Sequence, residues 1–311
     1  MILAFAGGVG GARLANGLAR ILPAGGLTVA VNTGDDFEHL GLHISPDPDT
    51  VLYTLAGLND PERGWGLADE TFACMAAVKR LGGEDWFALG DRDLATHLER
   101  TRRLAAGESL SRIIADFAAR LGISQAIIPV TDDRLRTVVH TADGELTFQD
   151  YFVRRRCEPA VTALVFEGAA HASPSPGLAA LMQSPVLQGI IICPSNPFLS
   201  IDPILAVPGI RRWLTHRRVP CIAISPLIGG KAVKGPIAKM LAELSLDATP
   251  RAIAEHYLGL IDGLIIDRAD TLQAFGECHI TDTLMRDVSG QERLARESLN
   301  YLEQLRSAAL K

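Results

Sequence analysis

Cysteine is scarce in this chain. There are five among 311 residues, Cys74, Cys157, Cys193, Cys221 and Cys278, an odd number at wide spacing with no Cys-x-x-Cys pair. That argues against a disulfide framework or a zinc knuckle and points to a reducing cytoplasm. No apolar run reaches the roughly 18 residues of a membrane span. The start, MILAFAGGVGG, has no basic segment, and glycines interrupt its apolar stretch, so a signal peptide is not expected. Positive charge is not in excess: 30 Lys and Arg face 36 Asp and Glu, a net charge of −6. Broad nucleic-acid binding, which runs on phosphate neutralisation, is therefore disfavoured. Local basic clusters remain available for small anionic ligands. There is no Gly-x-Ser-x-Gly elbow, no internal repeat and no long linker.

What is present is ordinary globular material, 48% hydrophobic and 21% charged. At roughly 150 residues per domain the length fits two domains, or one α/β domain with an insertion. Short apolar runs bounded by turn residues read as buried strands: Ile2–Ala6, Leu27–Val31, Ala126–Pro129, 189–193, 220–224 and 263–266. Helical patterns lie between many of them, at 11–22 and 203–216. A further helix is expected after Thr249-Pro250, and a last one from the capping-box spacing at Ser289–Glu292. Residues 57–125 look helical and read as an insertion. The alternation TVVHTADGELTF (137–148) reads as a hairpin about Asp143-Gly144. The expected architecture is one Rossmann-like α/β domain over 1–311, a doubly wound and mainly parallel sheet with a helical insertion and a β-hairpin.

The polar exits of the strands carry the functional signal. Gly7–Gly11 follows the first run, Asn32-Thr33-Gly34-Asp35-Asp36 the second, Pro194-Ser195-Asn196 the fourth and Ser225–Lys231 the fifth. Ligands of open α/β sheets bind outside the carboxyl ends of strands. Any one of these loops reads equally as a turn, but together they suggest one crevice. The glycine loop suits a phosphate at a helix N-terminus. It is not a Walker A loop, because no Gly-Lys-Ser/Thr ends it. Arg13 stands where a dinucleotide fingerprint has its third glycine, which disfavours an NAD-dependent oxidoreductase. Arg13 itself reads as an anion partner or as a solvated helix residue. Asp47 and Asp49, two residues apart, suit a hard cation, with Asp35 and Asp36 as further contributors. Asp91 and Asp93 read as helix caps or as ligand groups. His39 and His43 read as loop residues rather than zinc ligands. The basic runs at 154–156 and 211–212 read as solvated faces.

The chain resembles the 2-phospho-L-lactate transferase family of coenzyme F-420 biosynthesis. The resemblance is carried by GGVGGARL (7–14), VNTGDD (31–36), SPDPDTVLYTLAG (45–57), RGWG (63–66), LGDRDLATHL (89–98), FQDYFVR (148–154), PSNPFLSIDPIL (194–205) and SPLIGGKAVKGP (225–236). It implies a Mg²⁺-dependent phospho-group transferase, often a homodimer, working on small molecules without nucleic acid or membrane. The donor would be a guanosine diphosphate ester of a three-carbon acid, and GMP would be released. The acceptor would be the terminal ribityl hydroxyl of the deazaflavin FO. The acid would be 2-phospho-L-lactate, phosphoenolpyruvate or 3-phosphoglycerate, and VGG with DWFALGDRD looks closer to the bacterial branch. On this resemblance Asp49 is assigned to catalysis, and Asp49, Ala88 and Asp91 to FO. Gly8, Gly10, Gly11, Arg13, Ser195, Asn196 and Lys231 are assigned to the nucleotide and its phosphates, and Asp49, Asp47 and Asp36 to Mg²⁺. Archaeal members tend to carry a basic residue at the position of Ala88, so a side-chain role there is not carried over. The alternative is a non-catalytic nucleotide-sugar-binding regulator that shares the glycine loop.

Overall fold

Apolar runs with no polar alternation belong to strands covered on both faces. A computed structural model, describing residues 1–232, 236–243, 246–276 and 278–309, has that arrangement. Seven strands form the central sheet: β1 (Ile2–Ala6), β2 (Leu27–Val31), β3 (Ala126–Pro129), β4 (Gly189–Ile192), β5 (Cys221–Ile224), β6 (Gly263–Asp267) and β7 (Cys278–Thr281). All pair in parallel, in the order β7-β6-β5-β4-β1-β2-β3. Successive residues point to opposite faces. Leu3, Phe5, Ile190 and Ile192 join one core, and Ala4, Ala6, Ile191 and Cys193 join the other. Each large apolar side chain buried this way contributes about 1.5–3 kcal/mol, so a polar residue on either face would be costly. Strand β7, reading Cys-His-Ile-Thr, has one neighbour and no such apolar run, and the sequence pattern does not reveal it.

Helix α1 (Gly8–Ile21) begins three residues earlier than its apolar pattern, so the glycine loop is itself the first helical turn. After β2 come a small hairpin, Phe37–His39 with Leu42–Ile44, and helix α2 (Pro46–Leu55). Helices α3 (Ala73–Arg80), α4 (Asp93–Ala105) and α5 (Leu110–Arg120) follow before β3. The stretch from 57 is not helical throughout. Residues 57–72 are turns with one isolated bridge between Asn59 and Leu67.

The expected hairpin exists, with one correction. Arg136–Thr141 pairs antiparallel with Gly144–Thr147, and Thr141 lies opposite Gly144, so the two-residue turn is Ala142-Asp143. A third strand, Val161–Glu167, pairs on the other side. The single helix expected over 203–216 is two, Asp202–Ala206 and Ile210–Thr215. Pro208 forces Val207 into an extended conformation, and Gly209 has a φ of 88°, so the helix must stop and restart. Thr249 caps its helix as expected, its Oγ1 accepting from the Ala252 N–H at 3.2 Å. The C-terminal helix, Val288–Ala309, is capped by Asp287 rather than through Ser289. The Asp287 carboxylate accepts from the Gly290 N–H at 2.8 Å.

Candidate active site

Strands β1 and β4 are neighbours, yet the chain leaves β1 for β2 on one side and β4 for β5 on the other. The loops after them diverge and open a crevice at this switch point. A cavity of about 600 Å³ lies there, lined by Gly7, Gly8 and Gly10 on one side and by Pro194, Ser195 and Asn196 on the other. The two loops are tied together. Ser195 Oγ accepts from the Gly7 N–H at 3.1 Å and donates to the Gly7 carbonyl at 2.8 Å. Asn196 turns its side-chain oxygen to the N–H groups of Phe198 and Leu199, at 3.0 and 3.2 Å. Gly7 has no side chain with which to cap α1, and of the first turn the Gly8 N–H is taken by the Asp47 carboxylate, so the following N–H groups and the positive end of the helix dipole are what an anion meets. Arg13 also lines the cavity, half-buried, and donates to the Met285 carbonyl at 3.1 Å. Gly11 is buried behind the loop, where an added Cβ would meet Ser195 Oγ at 2.7 Å.

Four buried carboxylates line the cavity: Asp35, Asp47, Asp49 and Asp93. Asp47 accepts from the Gly8 N–H at 2.7 Å and from Asn32 Nδ2 at 3.0 Å. Burial pushes it up to about 6, against the pull of those two bonds. Asp35 is raised further, first by burial and then by the charge of Asp47, and its Oδ1 has no hydrogen-bond partner among the described residues. Asp36 is turned elsewhere. It binds Ser45 Oγ at 2.8 Å and His43 Nε2 at 3.1 Å and does not line the cavity. Among the described residues no three His, Cys, Asp or Glu side chains converge on one point.

Asp49 belongs to a charged set that sequence reasoning missed apart from Asp49 and Asp93. Arg100, fully buried on α4, donates from Nη2 to Asp49 Oδ1. His97 stands between two carboxylates, with Nδ1 3.6 Å from Asp49 and Nε2 3.3 Å from Asp93. Tyr53 donates its hydroxyl to Asp93 at 2.6 Å. Burial raises the pKa of Asp49, with Arg100 and then His97 pulling the other way. For Asp93 burial is also the largest influence, but His97 and Tyr53 outweigh it and hold the group low. The signal was in LGDRDLATHLER: residues 93, 97 and 100, spaced four and three apart, share one face of a helix.

The cavity also has aromatic lining. Trp86, Phe87, Phe148 and Phe152 belong to it, with the Phe148 and Phe152 rings stacked 5.3 Å apart. Ala88 lines the cavity too. Asp91 does not. Its carboxylate takes the Thr71 hydroxyl at 2.5 Å and the N–H groups of Ala73 and Cys74 at 3.0 and 2.9 Å, so it caps α3. Lys231 stands exposed on a two-residue strand opposite Ile228 and is absent from the cavity lining among the described residues. The N–H groups of Gly229 and Gly230 beside it are already taken by buried Asp270, at 3.0 and 2.9 Å. Residues 233–235 of that motif lie outside the described residues.

Comparison with known proteins bears on the fold and the family. Two solved structures of a UPF0052 family protein from Bacillus halodurans share the fold, with TM-scores of 0.55 and 0.56 at 17% and 15% identity. They cover 86% and 94% of this chain, and this chain covers 80% and 89% of theirs. A phosphoenolpyruvate transferase from Streptomyces coelicolor is 42% identical over 99% of both chains. Another from Kitasatospora aureofaciens is 43% identical over 98% of both. A 2-phospho-L-lactate transferase from Methanosarcina mazei is 37% identical over 94% of this chain and 98% of its own. The family model described as 2-phospho-L-lactate transferase CofD matches residues 2–297, and the chain belongs to that family of transferases.

Proposed function

We propose that this protein transfers a phospho-three-carbon acid from its guanosine diphosphate ester to the terminal ribityl hydroxyl of FO, releasing GMP, in coenzyme F-420 biosynthesis. The observation that carries the reading is one cavity lined by two unlike sets of residues. The glycine turn of α1 and the Ser195-Asn196 loop suit a diphosphate, and the aromatic lining suits a flat ring system. Asp49 lies on the wall of the same cavity. Relatives named phosphoenolpyruvate transferase are 38–43% identical and relatives named 2-phospho-L-lactate transferase 36–39%, so the identities overlap and both acids belong in the test, phosphoenolpyruvate first.

The reaction is a displacement at phosphorus. The FO hydroxyl oxygen bonds to the phosphorus that bears the acid, and the P–O–P bond breaks. GMP leaves with the bridging oxygen, and the hydroxyl proton passes to Asp49. Such transfers depend mostly on positioning and on stabilising charge at the phosphate oxygens. The α1 N-terminus and Arg13 meet that charge on the protein side. Asp35 and Asp47 fit a magnesium ion, since among the described residues these two buried carboxylates have no cationic side chain paired with them. Mg²⁺ binds through one or two carboxylates, substrate phosphates and water, so the lack of a third side-chain ligand is no obstacle. When bound, it withdraws charge from the phosphates. The test is mass spectrometry of FO incubated with each candidate guanylyl ester, with and without Mg²⁺. The expected product is FO carrying the phospho-acid, together with GMP. No adduct with any of the three donors, beside tight binding of a nucleotide sugar, would replace this reading with the regulator.

A further inference from the structure

The buried pair of Arg100 and Asp49 uses only one oxygen of the carboxylate. Arg100 Nη2 binds Asp49 Oδ1, while Nη1 lies 3.3 Å from the His43 carbonyl and 3.3 Å from His97 Nδ1. A guanidinium has donors only, so in its hydrogen bond with Arg100 His97 Nδ1 is the acceptor, and Nε2, 3.3 Å from Asp93 Oδ2, is the ring nitrogen left to donate. Asp93 is itself held by Tyr53, and Tyr53 Oη lies 2.8 Å from Thr96 Oγ1. One acceptor is left over. Asp49 Oδ2 is buried, has no hydrogen-bond partner among the described residues, and faces His97 Nδ1 at 3.6 Å, acceptor to acceptor. A buried carboxylate oxygen left unmatched is costly, and a donor from a ligand in the adjoining cavity removes that cost.

We propose that Arg100 is a positioning residue for transfer: it grips Asp49 Oδ1 and fixes His97, so that Asp49 Oδ2 alone is presented to the acceptor hydroxyl. This rests on the transfer reading above. Arg100 acts only through Asp49, which separates it from residues that touch substrate.

The test measures kcat for FO transfer beside the affinity for GDP. Arg100→Gln is expected to lower kcat about a hundredfold, the scale of a misplacement near 1 Å, with GDP affinity within about twofold of the unaltered protein. Arg100→Lys should recover about a tenth or more of the lost rate. Asp49→Asn with Arg100→Gln should match Asp49→Asn alone within about threefold, because the second change has nothing left to act through. That double variant leaves no lone buried charge, so it carries the test if Arg100→Gln does not fold. Further loss in the double variant of tenfold or more, an unchanged kcat in Arg100→Gln, or a parallel loss of GDP affinity overturns the role while the transfer reading stands. No transfer by the unaltered protein overturns both.

Discussion

Gly10 lies against the Pro194 carbonyl so closely that a Cβ on Gly10 would stand 2.2 Å from that oxygen. The partner atom is backbone, which has no rotamer to give. The glycine therefore serves the approach of the two switch-point loops, besides any approach to phosphate. Gly10→Ala should push the loops apart, at about 1–3 kcal/mol of stability for overpacking. GDP affinity should fall at least tenfold. Isothermal titration and thermal unfolding read both, and normal binding by the alanine variant would show that the loop contact is dispensable.

Asp47 sets a pH dependence. Its carboxyl is raised from 3.8 to about 6, mainly by burial. The folded state then holds the proton more tightly than the unfolded chain. Its contribution to stability is complete below pH 3.8 and is lost as pH rises through about 6. The loss is about 3 kcal/mol at roughly 1.4 kcal/mol per tenfold change in proton affinity. Denaturant unfolding of the metal-free protein between pH 4 and 7 should show that decline, and Asp47→Asn should make it shallower, leaving the part that buried Asp35 and Asp49 contribute. Added Mg²⁺ must displace the same proton, so its apparent affinity should climb up to about pH 6 and then level off. A Mg²⁺ affinity independent of pH below 6 would remove Asp47 from the metal site.

The aromatic lining predicts a split between the two substrates. Phe152→Ala removes one ring of the stacked pair beside the cavity. Aromatic stacking on a heterocycle is worth roughly 1–3 kcal/mol, so KM for FO should rise about five- to a hundredfold. KM for the guanylyl donor should stay within about twofold. Steady-state kinetics with each substrate varied in turn decides it, and equal effects on both would place the ring elsewhere in the reaction.

Lys231 and Asp270 should exchange the roles that a glycine-glycine-lysine string suggests. Lys231→Ala, on an exposed strand outside the cavity lining, should keep transfer within about twofold. Asp270→Ala strips the partner from two N–H groups held in left-handed backbone, with φ of 60° at Gly229 and 70° at Gly230. It should cost about 0.5–1.5 kcal/mol per hydrogen bond lost, the net worth of a bond at a partly exposed turn. Melting curves of the two variants distinguish the assignments.

Six strands of the sheet were legible in the sequence, because a strand covered on both faces must be apolar at every position and is bounded by turn residues. The glycine turn and Ser195-Asn196 were legible because strand exits in an α/β sheet are where ligands can approach, and Asp47 and Asp49 because of their two-residue spacing. Local pattern could not show that Asp91 caps a helix some twenty residues back, that Asp36 turns to His43 while Asp35 faces the cavity, or that Lys231 stands outside it. Each of these depends on which distant group competes for a hydrogen bond. The same holds for Arg100, which no local pattern singles out and which is fully buried against Asp49. Periodicity records which side of an element is dry. Only the packed chain decides which charges meet inside it, since a buried charge persists only where a partner from another segment arrives to match it.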